Sequence, residues 1–376
     1  MGLTPILVVA GDASGDLYGA QLLKSIRKMK KEVSFFGIGG NQMVEEGLEL
    51  IVHLKELSVV GLWEALTKVP LAIKAWLKLK KALEERKPPL AILIDFPGFN
   101  LSIAPRLKKR GVKVLYYVSP QLWAWWPSRA KRLKESVDAL AVVLPFEESF
   151  FNRYGIKAHF VGHPQWEVLE RAPHRTEARR TLGLREDEVV IGFFPGSRKG
   201  EFLRHLDLMG ETLELLRETL PSLRPLLALA PGLEELRPMA RAKGFEVLYD
   251  KAIEVLSASD LAIAASGTIT LQAALLGVPM VVVYKVHFLS YFLGKRLVKV
   301  PYISLPNLLL GEKVVPELVQ KEANPQRIAE EALRLLRDHT YREQALGGFQ
   351  KLRGLLPKGA SERVAKMALG LLEAGT

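Results

Sequence analysis

The chain has no cysteine, which excludes disulfides, thiolate metal ligands and a cysteine nucleophile. The common nucleotide and metal signatures are missing as well. There is no GxxxxGK[ST], and no GxGxxG with an acidic residue beyond the next strand, so neither a P-loop nor a dinucleotide site is expected. There is no DxD pair and no HExxH. His159 and His163 stand four apart, but on a strand-to-turn segment rather than one helix face, so no metal and no other cofactor is expected. Met1-Gly2 runs into LTPILVVAG with no basic region and no small-residue cleavage site, so no signal peptide is expected. The longest stretch without charge, Leu261 to Tyr284, contains Ser266, Gly267, Thr268, Thr270 and Gln272 and is broken by Gly277 and Pro279. It reads as strand, loop, helix, turn and strand, not as a membrane span. No repeat and no low-complexity tract is present. Acidic side chains are in deficit: 41 Asp and Glu face 53 Lys and Arg, a net charge of +12. That excess suits an anionic partner (nucleic acid, acidic lipid or a phosphorylated substrate) or simply a basic enzyme surface.

What the sequence does have is apolar material, 48% of 376 residues, enough for two ordinary open-sheet domains. Short apolar runs at 6–10, 33–38, 90–94, 112–118 and 139–144 alternate with helical segments. After Pro164 the series restarts at 189–194, 225–230, 245–249, 260–265 and 279–284, preceded by a polar stretch over 170–188 that holds a first helix. Uninterrupted apolar runs separated by helices predict parallel sheets covered on both faces. The reading is α/β, with two Rossmann-like domains facing a cleft: residues 1–165 and 166–340. Terminal helices over 341–376 are expected to pack back on the first domain. Ligands of such sheets sit outside the carboxyl ends of the strands.

Several motifs fall at those ends. Gly11-Asp12-Ala13-Ser14-Gly15-Asp16 follows the first run. Its glycines let backbone approach a ligand, or simply make a tight turn with Asp16 near a helix N-terminus. Asp95 follows 90–94, where it either takes a proton from an attacking hydroxyl or caps its own loop. Residues 116–132 carry Trp123, Trp125 and Trp126 ahead of a basic run, a surface for sugars, bases or lipid head groups, or an aromatic core helix.

In the second half, Gly196, Ser197 and Arg198, with Glu201 beyond, offer phosphate oxygens backbone N–H groups and a guanidinium fork. Ser266, Gly267 and Thr268 close a later strand and open a helix whose dipole favours a diphosphate. Gln272, one turn on, is placed to reach a ribose hydroxyl. Either motif also serves as a plain helix cap. Their occurrence at two strand ends of one domain favours phosphate. Residues 62–81 interleave Trp63, Leu66, Val69, Ile73, Trp76 and Leu77 with five lysines, and 286–299 repeat the theme. This suits a basic helix in a bilayer interface, or a helix packed on the sheet with its lysines snorkelling.

Taken in order over residues 10–320, the segments GDASGDLYGAQLL, IDFPGFNL, YYVSPQLWAWWPSRAKR, LPFE, FVGHP, PGSRKGE, SGTITLQAALLGVPMVVVYK, RLVK and SLPNLLLGEKVVPELVQ resemble the lipid-A-disaccharide synthase family. The resemblance implies a GT-B fold and an inverting glycosyltransferase. It implies transfer of 2,3-diacylglucosamine from UDP-2,3-diacylglucosamine to 2,3-diacylglucosamine 1-phosphate, giving a β-1,6-linked disaccharide 1-phosphate and UDP. It places UDP contacts at Arg198, Ser266, Gly267, Thr268 and Asn307, with Glu317 and Gln320 nearby. It makes Asp95 the base and Arg198 the stabiliser of the leaving group. Asp12, Ser14, Gly15 and Asp16 fall within its substrate-binding stretch. The implied partners are the UDP-diacylglucosamine donor, the diacylglucosamine 1-phosphate acceptor and an anionic membrane, with no nucleic acid and with an oligomer compatible. The implied location is the inner face of the cytoplasmic membrane. The family usually has Glu where this chain has Asp12 and Gln272, so donor affinity or donor choice is expected to differ. Two other readings stay open here. One is a different GT-B enzyme of UDP-sugars, such as a UDP-N-acetylglucosamine 2-epimerase. The other is a non-catalytic protein binding membranes or polyanions, against which the two phosphate motifs argue.

Overall fold

The apolar runs become the central strands of two parallel sheets because each run is buried on both faces. The computed structural model describes residues 2–57, 69–125, 130–286 and 301–374. The chain divides into two compact units, residues 1–167 with 356–376, and residues 168–355.

The first unit contains β1 (Thr4–Ala10), β2 (Val33–Gly39), β3 (Leu48–His53), β4 (Leu90–Ile94), β5 (Lys113–Tyr117), β6 (Ala139–Val142) and β7 (Ala158–Phe160). Their order is β3-β2-β1-β4-β5-β6-β7, all parallel. The second unit contains β8 (Val189–Phe194), β9 (Leu223–Leu229), β10 (Glu246–Tyr249), β11 (Leu261–Ala265), β12 (Met280–Tyr284) and β13 (Glu317–Val319), in the order β10-β9-β8-β11-β12-β13. Both sheets therefore reverse direction of travel at one place, between β1 and β4 and between β8 and β11. Backbone groups splay apart there, opening a crevice at the carboxyl ends.

Helix Val69–Arg86 covers one face of the first sheet. Ala75, Leu79, Ala82 and Leu83 point inward and join Leu107 and Ile103 in the core. Truncating a buried leucine such as Leu79 costs about 2–5 kcal/mol. Trp76 is half-buried against the same core, with the Arg106 and Arg110 guanidinium groups 5.4 and 5.7 Å from its ring. The exposed apolar side chains of this helix are instead Leu71, Ile73 and Leu77. Trp63, Leu66 and the Val69 side chain lie outside the described residues, as do residues 287–299 of the second basic segment.

In the second unit the polar stretch ahead of β8 is anchored by helix Arg175–Thr181. Arg179 is buried there, ion-paired to Asp260 at 2.7 Å and donating to the carbonyls of Ala258, Arg185, Glu186 and Glu188. Asp260 also accepts from the Val190 N–H, so the buried charge has partners on every side.

The terminal helical stretch is cut at Pro357 to Gly359. Helix His339–Leu355 belongs to the second unit and helix Ala360–Glu373 to the first. Among the described residues no helix is long and apolar enough to cross a membrane.

Candidate active site

In the first unit the reversal of strand order brings the β1 loop and the β4 loop together. The Phe96 ring lies against Gly11 so closely that a Cβ there would stand 2.2 Å from ring carbons. Asp12 is exposed and caps helix Ala13–Met29 by accepting from the Gly15 N–H at 2.7 Å. Ser14 is half-buried. Asp16 points the other way. Its buried carboxylate accepts from the N–H groups of Gly40, Gln42 and Met43 at 2.7, 3.1 and 3.2 Å. It caps the short helix Asn41–Glu45 after β2, and so holds the glycine turn from behind instead of facing a ligand.

Asp95 is half-buried directly after β4, and both it and Phe96 adopt left-handed backbone angles, φ +44° and +47°. Non-glycine residues rarely do so. The Asp95 carboxylate and the Asp12 carboxylate both act on Tyr18. Burial pushes the Tyr18 phenol up, its bond from Gln165 opposes this, and the two acidic charges push it further up.

At the neighbouring strand end, Val118 is also left-handed, φ +59°. Ser119 and Trp123 both donate to the buried Glu147 carboxylate, at 2.6 and 2.9 Å, and Leu144 and Val143 donate backbone N–H groups to it. Burial pushes the Glu147 carboxyl up while these donors pull it down. The Trp123 indole is thereby fixed on the carboxyl side of β5. Residues 126–129, including Trp126, and the Trp125 side chain lie outside the described residues.

In the second unit, β8 ends in Pro195 and Gly196, whose φ of +114° leaves no room for a side chain. A Cβ would meet the Glu201 carboxylate at 2.4 Å. Burial pushes that carboxyl up, while the Arg198 and Arg204 charges and the Arg198 and Ser197 N–H groups pull it down. Ser197 and Arg198 are exposed, and helix Lys199–Thr219 begins without a side-chain cap. Helix Thr268–Leu276 after β11 also begins at Gly267 without one. Two helix N-termini thus flank the β8–β11 reversal, beside an exposed arginine, and at the first of them the Glu201 carboxylate draws on the Ser197 and Arg198 N–H groups. A helix N-terminus favours a negative charge. The Ser266 hydroxyl donates to the Ile303 carbonyl at 2.6 Å, and Thr268 and Gln272 are half-buried on the helix.

Asn307, Glu317 and Gln320 have internal work. Asn307 is fully buried and donates to the Val315 carbonyl and Glu317, while its oxygen accepts from Val314 and Val315 N–H. Glu317 accepts from Ile303 N–H, Ser304 N–H and the Ser304 hydroxyl, capping helix Leu305–Leu310. Gln320, at φ +53°, pairs with both backbone groups of Val286. In this conformation the polar atoms of Asn307 and Glu317 are taken up by protein groups, and Gln320 is engaged by Val286, so all three shape the loop after β12.

His205 carries no motif signal, yet it belongs to the site's frame. It is buried on helix Lys199–Thr219, with Nδ1 2.9 Å from the Pro195 carbonyl and Nε2 accepting from the Lys285 N–H at 3.1 Å. That pair of partners selects the neutral tautomer with the proton on Nδ1. Burial holds the ring below the ordinary histidine range, opposed by the Pro195 bond. His205 ties the glycine turn after β8 to the end of β12.

The fold has known counterparts. A UDP-GlcNAc 2-epimerase from Neisseria meningitidis, solved with UDP-GlcNAc, superposes with a TM-score of 0.68 at 13% identity, covering 97% of this chain and 100% of that one. The calicheamicin glycosyltransferase CalG4 superposes with a TM-score of 0.60 at 16% identity, covering 100% and 99%. At these identities the likeness is one of fold. Sequence relatives are much nearer. Lipid-A-disaccharide synthase of Geobacter metallireducens is 43% identical over 380 residues, 99% of each chain. That of Myxococcus xanthus is 42% identical over 375 residues, 98% of each. Residues 6–369 match the family described as lipid-A-disaccharide synthetase, and the chain belongs to this lipid-A-disaccharide synthase family.

Proposed function

We propose that the protein transfers 2,3-diacylglucosamine from UDP-2,3-diacylglucosamine to the 6-hydroxyl of 2,3-diacylglucosamine 1-phosphate, with inversion, releasing UDP. The observation that carries this reading is the complementary chemistry at the two strand reversals: a carboxylate on a left-handed turn after β4, and helix N-termini with the exposed Arg198 after β8 and β11. Asp95 takes the proton of the acceptor hydroxyl as the new bond forms. The N–H groups at Gly267 to Thr268, the dipole of helix Lys199–Thr219 and the Arg198 guanidinium hold the diphosphate and stabilise the charge that develops as UDP leaves. Direct displacement of this kind needs one base and one stabilised leaving group.

Six positions refine the reading. Asp12 spends its carboxylate on its own helix, a role a shorter acid fills well. Gln272 offers donor hydroxyls an amide rather than a charge. Asp16, Asn307, Glu317 and Gln320 support the site from behind. The exposed Leu71, Ile73 and Leu77, set among Lys74, Lys78 and Lys81, suit the surface of an anionic membrane, where both lipid substrates reside.

The test is UDP release from UDP-2,3-diacylglucosamine in mixed micelles, with and without 2,3-diacylglucosamine 1-phosphate, with mass analysis of the lipid product. Acceptor-dependent release with a disaccharide monophosphate is expected. Tight UDP binding without that product, or epimerisation of UDP-N-acetylglucosamine with no acceptor, overturns the reading.

A further inference from the structure

Asp95 and Phe96 hold an unfavourable backbone conformation side by side, and something must keep them there. The Asp95 N–H donates to the Tyr117 carbonyl at 2.9 Å. The Asp95 carbonyl accepts from two buried side chains, Asn100 Nδ2 at 2.8 Å and the Tyr116 hydroxyl at 2.6 Å. Asn100 Nδ2 also reaches the Ile94 carbonyl at 3.2 Å. Both polar backbone groups of Asp95 are therefore fixed by partners on two different elements: helix Pro97–Lys108, which carries Asn100, and β5, where Tyr116 stands opposite Leu93 in register. From the other side, the Phe96 ring is clamped between Gly11 and Phe99, whose ring it stacks on at 5.7 Å and 27°.

We propose that Asn100 and Tyr116 are positioning residues that aim the Asp95 carboxylate by holding its peptide in the left-handed conformation. The inference rests on the proposed role of Asp95 as the base. Packing alone does not account for these two residue types. Leucine and phenylalanine would fill the same space, and both side chains are fully buried, so neither gains from solvent. Burial pushes the Tyr116 phenol well up, and the Asp95 charge pushes it further up, so it remains a neutral donor. The donors of the pair, Asn100 Nδ2 and the Tyr116 hydroxyl, are spent on the Ile94 and Asp95 carbonyls, while Asn100 Oδ1 is buried without a partner. Without them Asp95 and Phe96 would relax toward ordinary angles, and the carboxylate would move off the line of the hydroxyl it deprotonates.

The variants that test this are Tyr116→Phe, which removes one oxygen with little change of shape, and Asn100→Ala. Turnover is counted per UDP-binding site, so that any misfolded fraction drops out. The expected result is a loss in kcat of about tenfold for Tyr116→Phe and about a hundredfold for Asn100→Ala, the scale of small misplacements of a reacting group. Donor KM and UDP affinity are expected to stay within about twofold, since uniform binding is untouched. A purely structural role would lower the melting temperature and the number of binding sites while leaving kcat per site unchanged. That result in Tyr116→Phe alone overturns the inference, even if Asn100→Ala fails to fold. Lack of turnover by the unaltered chain in the same assay overturns the proposed reaction itself, and this inference with it.

Discussion

The two units share a strand order and differ in how they build the loops at its reversal. The first uses non-glycine residues in left-handed conformations: Asp95 and Phe96 at the reversal and Val118 beside it. The second uses Gly196, at φ +114°, and Gly267, whose backbone is extended, and its own left-handed non-glycine residues, Asp250 and Gln320, follow the outlying strands β10 and β13. Glycine strips a loop to bare backbone, which is what a diphosphate needs, because N–H groups are the ligands. A base needs a side chain, so its loop must hold one at an angle glycine would take without strain. Each such residue costs about 1–3 kcal/mol. Three of them use up a sizeable part of a stability of about 5–15 kcal/mol. Asp95 and Phe96 are held by the Asn100 and Tyr116 bonds and by the packing of the Phe96 ring, and the Val118 N–H donates to the Ala141 carbonyl.

The largest test of this division is a crossed pair of variants. Asp95→Asn is expected to lower turnover by about a thousandfold with UDP affinity unchanged. Arg198→Ala is expected to weaken UDP binding by about tenfold to a hundredfold, the worth of a charge-assisted bond. Calorimetry with UDP and the micelle assay separate the two, and equal loss of UDP affinity in both variants breaks the comparison.

A smaller effect concerns the surfaces. Ile73 and Leu77 are 54% and 58% exposed, so replacing both with serine should leave the melting temperature alone and lower association with anionic vesicles by about tenfold. Met239, exposed in the second unit, serves as the control: Met239→Ser should change nothing in a flotation assay.

The smallest is a pH effect. His163, in the first unit, is buried with its pKa pushed down to about 3 by burial. Its unfolded value is about 6.5. An unfolded chain therefore takes up a proton that the folded one refuses, and stability present above pH ~6.5 is lost as the pH falls toward 3, by at most about 1.4 kcal/mol per unit. His205 shifts in the same direction in the second unit. Urea unfolding across that window should be flatter for His163→Gln than for the unaltered chain. An unchanged slope means the ring charges without cost.

The central strands were legible because they are buried on both faces: Leu90–Ile94, Val189–Phe194 and Leu261–Ala265 show no exposed position that would need a polar residue. Of the edge strands, β10 was read at 245–249 and the other three escaped the same reasoning. β3 carries the exposed Glu49, and β7 and β13 are three residues long, too short for a period to show. A helix end was legible where glycine and proline punctuate it at Gly277 and Pro279, whereas the break at Pro357 to Gly359 within the terminal stretch was not read. The site divided in the same way. Strand ends mark where ligands go, so Asp95, Arg198 and Gly267 stand out from local pattern. Whether a carboxylate faces a ligand or a backbone is decided by partners far along the chain. Asp16 is occupied by a turn 24 to 27 residues away, and Gln320 is engaged by a backbone segment 34 away. His205 gave no signal at all, because a lone histidine in a helix looks the same buried or exposed.

Helix Ala360–Glu373 has a consequence for the order of assembly. It buries Val364, Ala365, Ala368 and Leu372 in the first unit, Ser361 bonds to Glu167 through backbone and hydroxyl, and Trp166 donates to the Leu356 carbonyl at 2.7 Å. The first unit to leave the ribosome is thus the last to be completed, waiting for some twenty residues at the far end of the chain. The second unit, continuous from 168 to 355, can close first. During synthesis the unit that carries Asp95 spends that interval with an apolar helix face uncovered, a partly built state of the kind that chaperones hold.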